Sequence, residues 1–484
     1  MASFAKSNSS NANAPTLSIT TASQLTQVAY DAAEKDRIMP CMLNIEACQT
    51  QDDDRKVIDI VIVLDKSGSM QGANKLGLCL KTAEFLCTQL TKRDRFGLVS
   101  YDTHVTADLG LTYMDKKGKA KAIEAIRRIR AGSMTNLSGG ALKGVEMISE
   151  GLKTSEADVK SVLLLTDGLM NQGITSPPQL LEVMRNVLKP IEGIHFFTFG
   201  FGADHDEQLL RDLSEITTSA YYFIKSHDAI PTAFGDCLGG LLSVVAQNVR
   251  IVFRAAGGAS FSGKIMTKYP TKLCDRGGIE LTVGDISSEE TKTIVMKVLL
   301  PHLSEPVHGS DAPVMVADVM FVDLEKNKPV SITEQLCIAR PARENMKPED
   351  PNKQVFEELT RSMTALALDE AKKLADNGDM KSARTRLTSS KQAIVNLGMS
   401  NFGKEYRSQT VEQCEDDLDL NMDAFSSNYE YQARGKYLAT NMAQAHGFQK
   451  SSVVSATRKF GGYRKGKKSA FASNFLSKVL PGKK

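Results

Sequence analysis

Several common features are absent from this 484-residue chain: it has no tryptophan, no C-x-x-C cysteine pair and no run of about 18 apolar residues. The missing apolar run predicts that no helix spans a membrane. Its eight cysteines are scattered, so we expect buried reduced thiols rather than disulfides or a zinc site. The first residues contain no apolar h-region, and we therefore expect no secretory signal. Together these features favour a cytoplasmic protein, with a membrane-peripheral or nuclear location as the alternatives.

Motifs of several enzyme classes are also absent. The sequence contains neither a G-x-x-x-x-G-K-[ST] phosphate loop nor a G-x-G-x-x-G turn after its first apolar strand. A phosphatase with an aspartyl nucleophile needs a second carboxylate two residues after Asp65, and Ser67 occupies that position. His195 lies within an apolar strand pattern and is expected in the core, whereas His205 is expected at a helix start capped by Asp204. We therefore predict a protein that is not an enzyme.

The feature that is present is a buried strand ending in oxygen ligands. Residues 57–64 form a continuous apolar run apart from Asp59, and the chain then places Asp65, Ser67 and Ser69 in a loop before a helix. Hard oxygen ligands of this kind suit Mg²⁺ or Mn²⁺ rather than zinc. The spacing D-x-S-x-S therefore indicates the first part of a metal site.

Two further segments supply matching groups. Thr135 lies in a loop before a helix, and Asp167 follows the apolar strand that starts at Val162. Because ligands of doubly wound sheets bind beyond the carboxyl ends of the strands, Asp65 and Asp167 are expected at the same edge.

These residues, in this order, resemble the metal-ion-dependent adhesion site of von Willebrand factor type A domains. The resemblance implies that Ser67, Ser69 and Thr135 offer hydroxyls to the metal, while Asp65 and Asp167 act largely through water. Many relatives have glycine before the threonine where this chain has Met134, which leaves Ser133 as an alternative to Thr135. A carboxylate of a protein partner would complete the metal's shell. The expected rim around it consists of Lys66, Met134, Asn136, Met170 and Asn171.

The alternation of strand and helix patterns predicts an α/β fold with a doubly wound, mostly parallel sheet, followed by a β-sandwich and a helical hairpin or bundle. The expected boundaries are a flexible N-terminal segment (1–38), a strand joining the sandwich and its connector (39–56), the von Willebrand factor A domain (57–246), the β-sandwich (247–345), the helical domain (350–448) and a basic tail (449–484).

This order of domains resembles that of the plant wavy-growth RING-type ubiquitin ligases. The segment Ile286–Thr291 before an apolar strand and residues 371–387 around an Asn-Gly-Asp turn carry that likeness. The sequence contains no RING cluster of cysteines and histidines. The main hypothesis is therefore an intracellular adaptor that binds an acidic motif through the metal. A RING-less subunit of a ubiquitin-ligase complex and a magnesium-dependent hydrolase are the alternatives.

The C-terminal tail is strongly basic. Residues 450–484 contain ten lysines and arginines and no acidic residue. The tail could be a solvated segment, an amphipathic segment that docks on anionic lipid or on a partner, or a nuclear-import or nucleic-acid contact. Charge alone does not choose between these alternatives.

Overall fold

The computed structural model describes residues 15–49, 55–167, 169–202, 205–224, 230–307, 313–403, 406 and 408–449. Asp204 and the basic tail, for which the sequence made predictions, lie outside these residues. The described chain begins with β1 (Leu17–Ser23), α1 (Glu34–Arg37) and β2 (Ile38–Ala47). No helix within the described ranges is both long and apolar enough to cross a bilayer.

A six-stranded sheet with helices on both faces forms the α/β domain, and its elements alternate along the chain. They are β3 (Ile58–Asp65), α2 (Lys75–Gln89), β4 (Arg95–Tyr101), β5 (Val105–Tyr113), α3 (Lys116–Arg128), α4 (Leu137–Gly151), β6 (Val159–Thr166), α5 (Pro177–Leu188), β7 (Ile194–Phe201), α6 (Glu207–Glu215), β8 (Tyr221–Ile224) and α7 (Ile230–Leu242). The strand order is β5-β4-β3-β6-β7-β8. Only the edge strand β5 pairs antiparallel, so the predicted mostly parallel α/β sheet is confirmed.

Burial on both faces explains the composition of the central strand. All eight residues of β3 are buried, because helices cover the sheet on both sides. On one face α4 packs unusually close: a Cβ on Gly140 would lie 2.4 Å from the Tyr101 ring, and one on Gly144 would lie 2.4 Å from Val63 Cγ2. This close packing places the start of α4 next to the carboxyl ends of β3 and β4.

The chain passes from α7 almost directly into a β-sandwich. Its strands are β9 (Val244–Ala255), β10 (Ser260–Phe261), β11 (Thr271–Leu273), β12 (Ile279–Ser287), β13 (Thr291–Leu299), β14 (Pro313–Asp323) and β15 (Lys328–Cys337). One sheet has the order β11-β12-β9-β14-β15 and the other β1-β2-β13-β10. Apolar residues of both sheets share one core. The strand that precedes the α/β domain, β2, lies between β1 and β13.

The prediction of a flexible segment over residues 1–38 is wrong for residues 17–23 and 34–38, which form β1, α1 and the start of β2. Residues 17–23 form β1, which pairs antiparallel with β2 from Leu17 opposite Ala47 to Ser23 opposite Cys41. Leu17 and Ile19 are buried, whereas Ser18 and Thr20 are exposed. This alternation is the pattern of a half-buried strand, but serines and threonines supply the exposed positions and give the segment a polar composition.

Helices form the last part of the described chain: α8 (Lys353–Asp376), α9 (Met380–Phe402), α10 (Gln409–Ala424), α11 (Asn428–Glu430) and α12 (Lys436–Phe448). A single π-helical turn at Tyr431–Gly435 leads into α12. The turn between α8 and α9 contains Gly378 with φ 85°, and Asp379 then caps α9 by accepting a hydrogen bond from Ser382 N. Apolar residues of these helices form a separate core.

One carboxylate of the helical domain contacts both other domains. Asp369 of α8 accepts a hydrogen bond from Lys268 Nζ of the sandwich at 3.0 Å. The same carboxylate lies 3.7 Å from the Arg211 guanidinium of α6. Nearby, Lys372 Nζ donates to Gln208 of α6 at 3.2 Å. Polar contacts therefore join α8 to the α/β domain and to the sandwich.

Candidate functional site

Two adjacent parallel strands bring the two predicted aspartates to one edge of the sheet. Asp65 is the last residue of β3, and Asp167 directly follows β6. The two strands are paired up to Leu64 and Leu165, so the aspartates leave the sheet side by side. Both are buried. The edge is the carboxyl end of the parallel strands, where open α/β sheets bind their ligands.

The protein itself holds the Asp65 carboxylate in place. Oδ1 accepts a hydrogen bond from Ser67 N at 2.8 Å, and Oδ2 accepts one from Thr166 Oγ1 at 2.6 Å. Burial raises the pKa of this carboxyl group, and the negative charge of Asp167 raises it further, whereas the hydrogen bonds from Ser67 and Thr166 lower it. A nearby cation would therefore favour the ionised form.

Two serine hydroxyls connect the loop after β3 to Asp167. The Ser67 and Ser69 oxygens lie 3.1 Å apart, and Ser69 Oγ donates to Asp167 Oδ1 at 2.6 Å. The other carboxylate oxygen, Oδ2, accepts a hydrogen bond from Lys75 Nζ at 2.5 Å. Lys75 is the first residue of α2, and the sequence analysis did not identify it. No local sequence pattern predicts its contact with Asp167. The 3₁₀ helix Gly68–Asn74 lies between the serine loop and Lys75.

The loop that carries Thr135 packs directly against the serine loop. Gly68 N donates to Ser133 O at 3.1 Å, and Gly132 N donates to Lys66 O at 2.6 Å. Thr135 is buried, whereas the side chain of Ser133 is exposed. The two candidates for the third hydroxyl therefore lie in different environments: Thr135 lies inside the loop cluster, and Ser133 contributes its backbone carbonyl to the contact between the loops.

The predicted rim residues have different roles in the structure. Lys66 is half-buried and Asn171 is exposed. Met134 is 41% exposed. Asn136 caps α4, where its side chain accepts a hydrogen bond from Gly139 N at 3.0 Å. Met170 is half-buried and packs on the core beneath the loops.

Sequence reasoning missed one exposed rim residue. Leu169, next to Met170, has 59% of its surface exposed. The sequence around Leu169 contains no periodic pattern that would predict whether its side chain is buried or exposed.

The residues at this edge fit a divalent cation with a preference for oxygen. In the part of the chain that the structure describes, no cluster of three or more His, Cys, Asp or Glu side chains is placed to hold a metal. The five predicted residues supply two carboxylates and three hydroxyls, and Lys75 shows that the Asp167 carboxylate already binds a positive charge. Such a donor set matches the chemistry of Mg²⁺ or Mn²⁺ and lacks the nitrogen and sulfur ligands typical of zinc.

Neither of the two buried or half-buried histidines of the α/β domain contacts this cluster in the described structure. His195 Nε2 lies 2.9 Å from Asp285 Oδ2 of β12, so it joins the α/β domain to the sandwich rather than serving only as core. His205 Nδ1 lies 2.7 Å from Gly202 O and its Nε2 lies 2.6 Å from the Tyr221 hydroxyl. The residue that caps α6 is Asp206, whose side chain accepts a hydrogen bond from Leu209 N.

The sequence is similar to several known proteins over different lengths. It is 24% identical to the E3 ubiquitin-protein ligase WAV3 of Arabidopsis thaliana over 353 residues, which cover 71% of this chain and 43% of that protein. It is 28% identical to human inter-alpha-trypsin inhibitor heavy chain H1 over 176 residues, which cover 35% of this chain and 19% of that protein. The chain thus spans less than half the length of these two relatives.

Solved structures share the arrangement of elements. A von Willebrand factor type A protein from Catenulispora acidiphila superposes with a TM-score of 0.61 at 16% identity, over 84% of this chain and 90% of that one. The ArnB paralog VWA2 from Sulfolobus acidocaldarius gives a TM-score of 0.53 at 15% identity, over 88% and 98% of the two chains. The family model for the von Willebrand factor type A domain matches residues 59–235. The α/β domain of this chain is therefore a von Willebrand factor type A domain.

Proposed function

We propose that this protein is an adaptor that binds a protein partner through a metal-dependent site at the edge formed by Asp65 and Asp167. Domains of this type are mostly interaction modules, often metal-dependent. A bound Mg²⁺ or Mn²⁺ would offer a positively charged coordination position to a carboxylate of the partner. The observation that carries the proposal is the linked series of oxygens from Ser67 through Ser69 to Asp167, next to the buried Asp65 carboxylate.

The residues of the chain support binding rather than turnover. The hydrogen bonds from Ser67 N and Thr166 hold the Asp65 carboxylate, and those from Ser69 and Lys75 hold the Asp167 carboxylate. Groups of the protein therefore already hydrogen-bond to oxygens of both carboxylates and fix their orientation at the sheet edge. We propose the cytoplasm as its location, which the burial of five of the eight scattered cysteines supports.

The test is a calorimetric titration of the full chain with Mg²⁺ and with Mn²⁺. Wild type is expected to bind, and Ser69→Ala and Thr135→Val are expected to weaken binding by roughly 10–100-fold, because each removes one oxygen. Ser133→Ala is the matched control, since it removes an exposed hydroxyl from the same loop as Thr135. Absence of metal binding by wild type at millimolar concentration would refute the proposal, and an effect of Ser133→Ala alone would assign the third hydroxyl to Ser133.

A second candidate rests on the length of the similarity to the Arabidopsis ligase. The aligned 353 residues extend well beyond the 177 residues of the family match. A subunit of a ubiquitin-ligase complex that relies on another protein for the RING is therefore the alternative function. Affinity purification of the full chain should then recover a RING protein or ubiquitin conjugates, and their absence would leave the adaptor without a link to ubiquitin.

A further inference from the structure

Exposed apolar side chains lie in two of the loops at the candidate metal site. Eight large apolar or aromatic side chains are exposed among the described residues, and two of them are Met134 and Leu169. Single exposed apolar residues are common on protein surfaces and need no explanation. Here, however, the two belong to different loops that meet at the same edge of the sheet.

Reciprocal hydrogen bonds hold these two loops together. Thr135 N donates to Asn171 Oδ1 at 2.8 Å, and Asn171 N donates to Thr135 O at 3.3 Å. Met134 is one residue from this link and Leu169 is two residues from it. The structure therefore keeps both apolar residues close to Thr135, one of the proposed oxygen ligands.

Leu169 is exposed, whereas its neighbour Met170 is half-buried. Met170 packs against the apolar core under the loops, together with Leu181 and Ile174. Leu169 remains 59% exposed and Met134 remains 41% exposed, so neither contributes its full apolar area to the stability of the domain. The surface beside the hydroxyl cluster thus combines an apolar part with the half-buried cation Lys66.

We propose that Met134 and Leu169 form a specificity subsite for a large apolar residue adjacent to the partner's acidic residue. The inference rests on the proposed function, because the acidic residue is the one that the metal site would bind. The partner segment is therefore an acidic residue flanked by Leu, Ile, Met or Phe. Its carboxylate provides the metal-dependent contact, and its apolar side chain covers surface that is otherwise exposed to water.

The test measures binding of short blocked peptides to the full chain in Mg²⁺ and in EDTA. One series places Asp or Glu between glycines, and the other places a Leu or Phe beside the same acidic residue. Apolar-flanked peptides are expected to bind roughly tenfold more tightly than glycine-flanked ones. In the double variant with Met134→Ser and Leu169→Ser, this gain is expected to disappear, so that the two series bind with equal affinity.

Leu273→Ser provides a matched control, because Leu273 is 78% exposed and lies in β11 of the sandwich. It is expected to leave both series unchanged. Equal magnesium-dependent binding of both series would overturn the subsite but keep the proposed function. A gain in affinity that persists in the double variant would also overturn the subsite and keep the proposed function. If neither series binds in a magnesium-dependent way, the proposed function fails and the subsite fails with it.

Discussion

At the scale of single residues, Lys75 forms an ion pair with Asp167, one of the two carboxylates of the proposed metal site. Its ammonium group donates to Asp167 Oδ2, and the side chain of Asp167 is completely buried. Unpaired buried charges are costly, so this ion pair stabilises the carboxylate at the sheet edge. A divalent cation and Lys75 then compete for the same carboxylate.

We expect Lys75→Met to tighten Mg²⁺ binding by roughly tenfold, or about 1.4 kcal/mol, because a repelling positive charge is removed and Asp167 loses its competing partner. Methionine keeps most of the apolar length of the lysine side chain. Without metal, the variant should unfold at lower denaturant concentration than wild type, because it leaves Asp167 buried and unpaired. Isothermal titration and urea unfolding, each with and without Mg²⁺, measure the two effects.

Lys143→Met is the comparison variant for this experiment. Lys143 forms an ion pair with Glu146 on the outer side of α4, and both side chains are substantially exposed. Its replacement should change Mg²⁺ affinity by no more than about twofold, since solvent screens an exposed charge. Weaker metal binding by Lys75→Met than by wild type would show that the lysine assists the site instead of competing with it.

At the scale of elements, the close approach of α4 to the sheet depends on glycine. A Cβ at Gly144 would come within 2.4 Å of Val63 Cγ2 and 3.2 Å of Val162 Cγ1. We expect Gly144→Ala to lower the free energy of unfolding by about 1–3 kcal/mol, because α4 or the strands must shift to admit the methyl group. Chemical denaturation of the full chain measures the change. The same shift should weaken metal binding, because Thr135 lies only two residues before the start of α4.

Gly240→Ala separates this steric effect from ordinary helix propensity. Gly240 lies in α7, and a Cβ there would meet only Ser287 Oγ, at 3.9 Å. Alanine should therefore stabilise this helix by up to about 1 kcal/mol. If both variants were stabilised, the close packing of α4 would not be the reason for its glycine.

Elements with strong periodic patterns were predictable from the sequence, and weakly patterned ones were not. The strands that lead to Asp65 and Asp167 contain the apolar runs Ile60–Leu64 and Val162–Leu165, and the predicted α/β sheet follows from them. In contrast, β1 was not predicted, because its exposed positions carry Ser18 and Thr20, which resemble a loop in composition. The contact of Lys75 with Asp167 and the exposure of Leu169 depend on how loops fold against each other, which no local pattern encodes.

At the scale of the whole molecule, the three domains contact each other through polar groups as well as through the chain. His195 of the α/β domain reaches Asp285 of the sandwich, and Asp369 of α8 reaches both other domains. Only one residue separates α7 from β9. Contacts of this kind make the position of the helical domain sensitive to the charge of groups that lie between α6, α8 and α12.

Glu207, the first residue of α6, is the clearest such group, with only 1% of its surface exposed. Burial raises the pKa of its carboxyl group, and the charges of Lys372, Arg211 and Lys436 only partly offset the increase. The stability that this raised pKa confers is present below the ordinary glutamate pKa of about 4.3 and is lost as pH rises through the higher folded-state value. Glu207→Gln removes this dependence, because glutamine does not titrate.

We therefore expect Glu207→Gln to be more stable, relative to wild type, at pH ~8 than at pH ~4.5, by about 1.4 kcal/mol for each unit by which the pKa is raised. Urea unfolding of both proteins across this range measures the difference. Glu370→Gln is the control, since Glu370 pairs with Arg386 on the exposed side of α8 and its replacement should give a nearly constant difference. A relative stability of Glu207→Gln that falls with rising pH would mean that the three surrounding cations outweigh burial. In that case, ion pairs between ionised Glu207 and these cations would stabilise the contact between α6 and the helical domain.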